Sequence, residues 1–202
     1  MTSARDTILA NLAKDRAHEK SIPDYALPGW TNDAPGHFIA KAKASVAEVH
    51  AIAAAEHAPE TILSIMAMNG LPSRLHLPKM SPLNTLPWHR APGLSIASEP
   101  PSGNDSALSG ADYGIAETGT LVFLSGAQSA SSWHFRPGRE FVLLPKVCIL
   151  PRFEDIIARL APQGRMPATL NLITGPSRTA DIEQTIELGA HGPRAIHILI
   201  VG

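Results

Sequence analysis

Two largely apolar runs near the C-terminus, LNLI at 170–173 and AIHILIV at 195–201, limit the fold more than any other feature of this chain. A strand that shows one face to water alternates apolar and polar residues. A strand buried on both faces reads as a continuous apolar run, and such strands belong to parallel sheets covered by helices. The same character recurs upstream in TLVFLS (120–125) and in EFVLLPKVCILP (140–151), which holds one or two strands. Between these runs lie SASSWHFRPGR, a helical turn or loop, and two segments that read as helices, FEDIIARLAP and TADIEQTIELG, the second ended by Gly189. Alternating β and α segments predict an α/β fold with a mainly parallel sheet flanked by helices. Its crossovers are expected to be right-handed.

The N-terminal part reads differently. Residues 3–19 predict an amphipathic helix carrying Ile8, Leu9 and Leu12, and residues 21–36 a Pro/Gly-rich loop. Ile39, Ala42, Val46, Val49 and Ala53 recur at helical spacing and predict a second helix over 37–55. Together these suggest an N-terminal helical arm over 1–58 that caps its own domain or grips a second copy, and an α/β domain over 59–202. Within that domain PETILSIMAMNG predicts a helix that Asn69-Gly70 ends, and RLHLP a short strand. Residues 78–111 read as a long proline-rich loop with one short strand at LSIA, and loops of that length are often functional.

Composition narrows the function classes. The net charge of −1 gives no footprint for nucleic acid or a membrane surface. No apolar run approaches the roughly 18 residues that span a bilayer, and MTSARDTILANLAKDRAHEK lacks a signal-peptide core, so a soluble cytoplasmic protein is expected. The single cysteine, Cys148, lies in an apolar run and reads as an inert core thiol. Nine histidines are present, but none has the H-x-x-x-H spacing and none forms a Cys/His set, so local spacing predicts no metal site. Trp30, Trp88 and Trp133 fall in loops, which they are expected to pin to the domain.

Three stretches carry candidate chemistry. GIAETGTL (114–121) spaces its glycines as a P-loop does. However, Thr120 and Leu121 stand where Lys and Ser/Thr are required, and the strand follows the glycines. An NTPase is excluded. What remains is Glu117, flanked by Thr118, Gly119 and Thr120, with Asp112 five residues earlier. Such a carboxylate serves as base, acid or nucleophile, or else only caps a turn. In TGPSRTADIE (174–183), a strand-turn-helix reading puts a helix N-terminus beside Gly175, Ser177, Arg178 and Thr179, an arrangement suited to an anion. Equally, Ser177 or Thr179 caps the helix while Asp181 and Glu183 complement its dipole. His191, in LGAHGPR, is either a site residue or part of a C-cap turn.

ADYGIAETGTLVFLSG and TGPSRTADIEQTIELGAHGPRAIHILIVG closely resemble the LutC/YkgG lactate-utilization family, also called the LUD domain. The resemblance covers roughly residues 59–202. It implies a NagB/RpiA/CoA transferase-like fold and a role beside LutA- and LutB-like partners in oxidising L-lactate to pyruvate. It marks Ala116–Leu121, Thr174–Glu183 and His191–Pro193 as signature positions without assigning their roles. One cysteine cannot supply the four thiolates that usually hold an iron–sulfur cluster. Any such cluster is therefore expected in the partner chains, with no cofactor in this one. Three functions stay open: an accessory subunit binding a small anion or a partner through the Glu117 and Arg178 loops, a stand-alone isomerase or acyl/CoA-transferase-like enzyme using Glu117, and an interaction scaffold.

Overall fold

The computed structural model describes residues 3–15, 29–30, 33–79, 81–126, 132–163, 167–180, 186–188 and 192–202. The chain divides into two compact units, residues 1–30 and 31–202. The first contains helix α1 (Ala4–Asp15), which overlaps the helix expected at 3–19. The second opens with α2 (Ala34–Ala44), whose start is fixed by the Asp33 carboxylate accepting the Gly36 N–H at 2.9 Å.

The helix expected over 37–55 is not continuous. After α2 the chain turns and forms strand β1 (Glu48–Ile52), which pairs in parallel with the final strand. Its residues are therefore sheet, and the break between units lies at residue 30 instead of 58. The turn itself is a C-terminal cap of the Schellman type. The Ala47 N–H donates to Ala42 C=O at 3.0 Å and the Val46 N–H to Lys43 C=O at 2.9 Å. The left-handed position of this motif is normally glycine, yet here it is Val46, with φ of 66°. A β-branched residue there stores roughly 1–2 kcal/mol of strain. Val46→Gly is expected to raise stability by up to ~1 kcal/mol, after glycine's own entropic cost of ~0.5–1 kcal/mol. Chemical denaturation checks this.

Onward from β1 come α3 (Ala58–Met68), β2 (Arg74–His76), β3 (Ser95–Ala97), β4 (Ser106–Gly110), β5 (Tyr113–Ile115), β6 (Thr120–Leu124), α4 (Ser132–Phe135), β7 (Arg139–Pro145) and β8 (Ile149–Leu150). The chain continues through α5 (Phe153–Leu160), β9 (Leu170–Ile173), β10 (Arg178–Ala180), β11 (Ile186–Leu188) and β12 (Ala195–Val201). The main sheet has six strands in the order β1-β12-β7-β4-β2-β3, all parallel. β7 and β12 are interior strands of this sheet and are buried along their length, as continuous apolar runs require. One face packs on α3, where Ile62, Ile65 and Met66 meet Leu75, Leu108, Phe141, Leu143 and Leu199.

A second sheet, β8-β5-β6-β9, is mostly antiparallel and packs on α5 through Ile115, Val122, Ile156 and Leu160. LNLI belongs to this sheet and not to the parallel one. As β9 it pairs antiparallel with β6 at an edge and leaves Leu172 half exposed. The helix expected over TADIEQTIELG is also replaced. Residues 178–180 and 186–188 form an antiparallel pair, β10 with β11, while 181–185 and 189–191 lie outside the described residues. Trp88 pins its loop as expected, donating its indole N–H to Leu83 C=O at 3.1 Å. Cys148 is half-buried in a short turn, and burial pushes its thiol pKa up.

Candidate functional site

The two signature loops meet beneath α2. Thr118 and Thr120 hydroxyls are 2.7 Å apart, and Thr120 is 2.6 Å from the Thr174 hydroxyl, so one chain of hydrogen bonds ties the loops together. Gly119 and Gly175 both have positive φ, 71° and 68°. A Cβ on Gly119 would stand 2.3 Å from the Ala42 backbone nitrogen, and one on Gly175 would stand 2.1 Å from the Ser45 carbonyl oxygen. Both glycines are thus required by the close approach of α2, whose Phe38 and Ala42 are fully buried.

Glu117 occupies the exposed turn between β5 and β6, held by its own N–H donating to Pro151 C=O at 3.0 Å. Asp112 sits at the other end of the same hairpin, beyond the Tyr113↔Val122 pair. The extended β5 puts roughly 10 Å of strand between the two positions, and Asp112 lines a cavity that Glu117 does not.

Asp112 instead faces a cavity of about 460 Å³, together with Pro78, Ser81, Ser109, Gly110, Trp133 and His134. This cavity lies past the carboxyl ends of β2 and β4. These strands are neighbours, but the chain leaves β2 for β3 on one side and β4 for β7 on the other. Such a reversal of direction is where open α/β sheets bind ligands. Asp112 is exposed as a residue, yet burial around its carboxyl group raises its pKa, opposed by the Leu124 N–H it accepts at 2.7 Å and by nearby His134. Trp133, expected in a loop, lies on α4 and is buried in the wall of this cavity.

Behind the wall lies a buried polar network. Glu140 is fully buried, and one of its carboxylate oxygens accepts from the Ser109 hydroxyl at 2.5 Å and from His134 Nδ1 at 2.8 Å. His134 is 1% exposed and stacks on Phe123 with ring centroids 3.9 Å apart. A carboxylate at Nδ1 selects the tautomer with the proton there and the lone pair on Nε2. A buried acid that orients an imidazole is an arrangement suited to proton transfer.

His134 also lines a second cavity of about 550 Å³, formed with Ser45, Thr174, Gly175, Ser177, Arg178 and Pro193. The Ser177 N–H donates to Pro193 C=O at 2.8 Å, which joins the second and third signature segments. Arg178 is exposed and supplies a cation to this cavity, though from the start of a strand and not from a helix terminus. Of the residues expected from sequence, this cavity gathers Gly175, Ser177 and Arg178. Thr118, Gly119 and Thr120 support it through Thr174 and α2. Thr179 lies on β10, and His191 lies outside the described residues. Sequence reasoning missed His134, Glu140 and Ser109. The one available signal was Glu140 itself, an acid at the head of the apolar run EFVLL.

Residues 102–201 match the family described as the LUD domain. The chain is 38% identical over 101 residues to a lactate utilization protein C of Halalkalibacterium halodurans, covering 48% of this chain and 44% of that protein. It is 34% identical over 122 residues to the uncharacterized protein YkgG of Escherichia coli, covering 58% and 52% respectively. The chain belongs to the LutC/YkgG family of LUD-domain proteins. It spans about half the length of the curated relatives it matches. A crystal structure of a DUF162 family protein from Deinococcus radiodurans shares the fold, with a TM-score of 0.61 and 19% identity over 87% of this chain and all of that one. The LUD-domain match contains both signature loops, Ser109, His134, Glu140 and Arg178, whereas α2 and β1 precede it.

Proposed function

We propose that this LUD-domain chain is a component of lactate utilization that binds a small carboxylate in the cavity shared by Arg178 and His134. The observation that carries this reading is the convergence of a guanidinium, the Ser177 and Thr174 hydroxyls, and an imidazole oriented by a buried acid on one cavity. The guanidinium fork suits a carboxylate, and the imidazole suits a hydroxyl or keto oxygen beside it. The name carried by its relatives supplies the substrate class, since lactate and pyruvate are such acids. Electrons from an oxidation would pass to LutA- and LutB-like partners, because the single cysteine of this sequence cannot hold an iron–sulfur cluster alone. The reading with Glu117 as base or nucleophile loses its support, since that side chain is exposed and lines neither cavity.

The test is calorimetric titration of the purified chain with L-lactate and with pyruvate. At least one acid is expected to bind saturably. Arg178→Ala is expected to weaken binding by ~10- to 150-fold, the worth of a ~1.5–3 kcal/mol charged hydrogen bond, without loss of folding. No saturable binding up to about 10 mM, or roughly −2.7 kcal/mol, would leave the cavity without a small-acid role and favour a docking scaffold.

A further inference from the structure

We infer that Glu48, His50 and His197 form a binding site for a first-row divalent metal ion of the Zn²⁺ type. The site is separate from both cavities described above. Parallel pairing of β1 with β12 sets Glu48 directly opposite His197, and His50, two residues along β1, points to the same side of the sheet. Glu48 Oε2 lies 3.5 Å from His197 Nδ1 and 3.9 Å from His50 Nε2, and all three atoms lie within 4.8 Å of one another. An ion at the centre of that triangle would be within a few tenths of an ångström of the ~2.0–2.2 Å bonds Zn²⁺ makes to imidazole and carboxylate. Side-chain torsions absorb the difference.

The second observation concerns the nitrogens. His197 is 1% exposed, and its Nδ1 has no hydrogen-bond partner among the described residues; the same holds for the buried Nε2 of His50. An unsatisfied buried polar group is costly, and here two such groups face the same carboxylate oxygen. A metal ion would satisfy both at once.

The surroundings support a fixed site. Phe141, opposite His197 on β7, stacks on its ring with centroids 4.8 Å apart and holds its plane. His50 stacks on the other imidazole at 5.7 Å. The opposite side opens to a groove of about 420 Å³ lined by Lys43, Val46 and Ala47, beside the strained Val46 turn. Two imidazoles and one carboxylate with an open side match metal sites that keep a position for water or a small anion. Local spacing could not reveal this site, because His197 is 147 residues from His50 and only sheet pairing joins them.

The test uses the untagged full chain, stripped with a chelator and titrated with Zn²⁺ by calorimetry and with Co²⁺ by visible absorption. One Zn²⁺ per chain is expected, with a Co²⁺ d–d band from the same site. Glu48→Gln and His50→Gln, both on partly exposed side chains of the edge strand, are expected to weaken Zn²⁺ at least tenfold, to abolish the Co²⁺ band, and to leave the metal-free melting temperature unchanged. No binding tighter than about 100 µM, roughly −5.5 kcal/mol, would overturn the assignment. So would a site whose affinity is unchanged in both variants, since the ion would then be held by other residues.

Discussion

Gly119→Ala is expected to lower the melting temperature by roughly 10 °C and to reduce soluble protein. The added Cβ would stand 2.3 Å from the Ala42 nitrogen and 2.6 Å from the Lys41 carbonyl carbon. These are helix backbone atoms, which cannot turn aside as a flexible side chain does. Overpacking of this kind costs ~1–3 kcal/mol. The φ of 71° at Gly119 adds the left-handed penalty of ~1–2 kcal/mol. The sum is a large part of the 5–15 kcal/mol that holds a domain together. Gly103→Ala is the control, because nothing lies within 4 Å of its Cβ position and its φ is not positive. Its melting temperature should match the parent within about 2 °C, the equivalent of ~0.5 kcal/mol. Equal behaviour of the two variants would show that α2 does not sit tightly on the signature loop.

Glu140→Ala is expected to cost about 3–5 kcal/mol, as breaking a buried polar pair does. The substitution removes the acceptor of both Ser109 and His134 from a site with no exposure, and it leaves a void. Glu140→Gln keeps the volume and one acceptor oxygen, so its loss should be markedly smaller. Urea denaturation of the three proteins separates the cases. If Ala and Gln variants were equally stable, the hydrogen bonds of Glu140 would contribute nothing beyond filling space. The two variants also bear on ligand binding. Glu140→Gln no longer imposes one tautomer on His134, because an amide offers either a donor or an acceptor to Nδ1. Acid binding in the Arg178 cavity should therefore fall in a variant that remains folded.

Much of the architecture could be read from residue pattern, because some elements carry their own physical signal. The α3 helix has Pro59 in its first turn, apolar residues at helical spacing, and Gly70 at φ of 61° just beyond its end. β7 and β12 are apolar on both faces, as strands covered on both sides are. The elements that were misread lack such a signal. EVHAI follows a helix in register with its apolar spacing, and becomes β1 only because β12 offers a free edge for it to pair with. ADIEQTIEL has helical composition, yet the residues flanking 181–185 pair as β10 and β11.

The sequence by itself determined the fold class, the signature glycines and the single cysteine. It also determined that Arg178 would lie beside a turn, since turn chemistry and apolar periodicity are local properties. Only the tertiary structure decided which charges meet. It separated Asp112 from Glu117, because a hairpin strand is stiff and extended. It brought His134 against Glu140 and Ser109, residues spread over three elements. It placed His197 beside Glu48 through strand pairing across most of the chain. Contacts of that kind depend on register and packing between distant segments, and no local pattern encodes them.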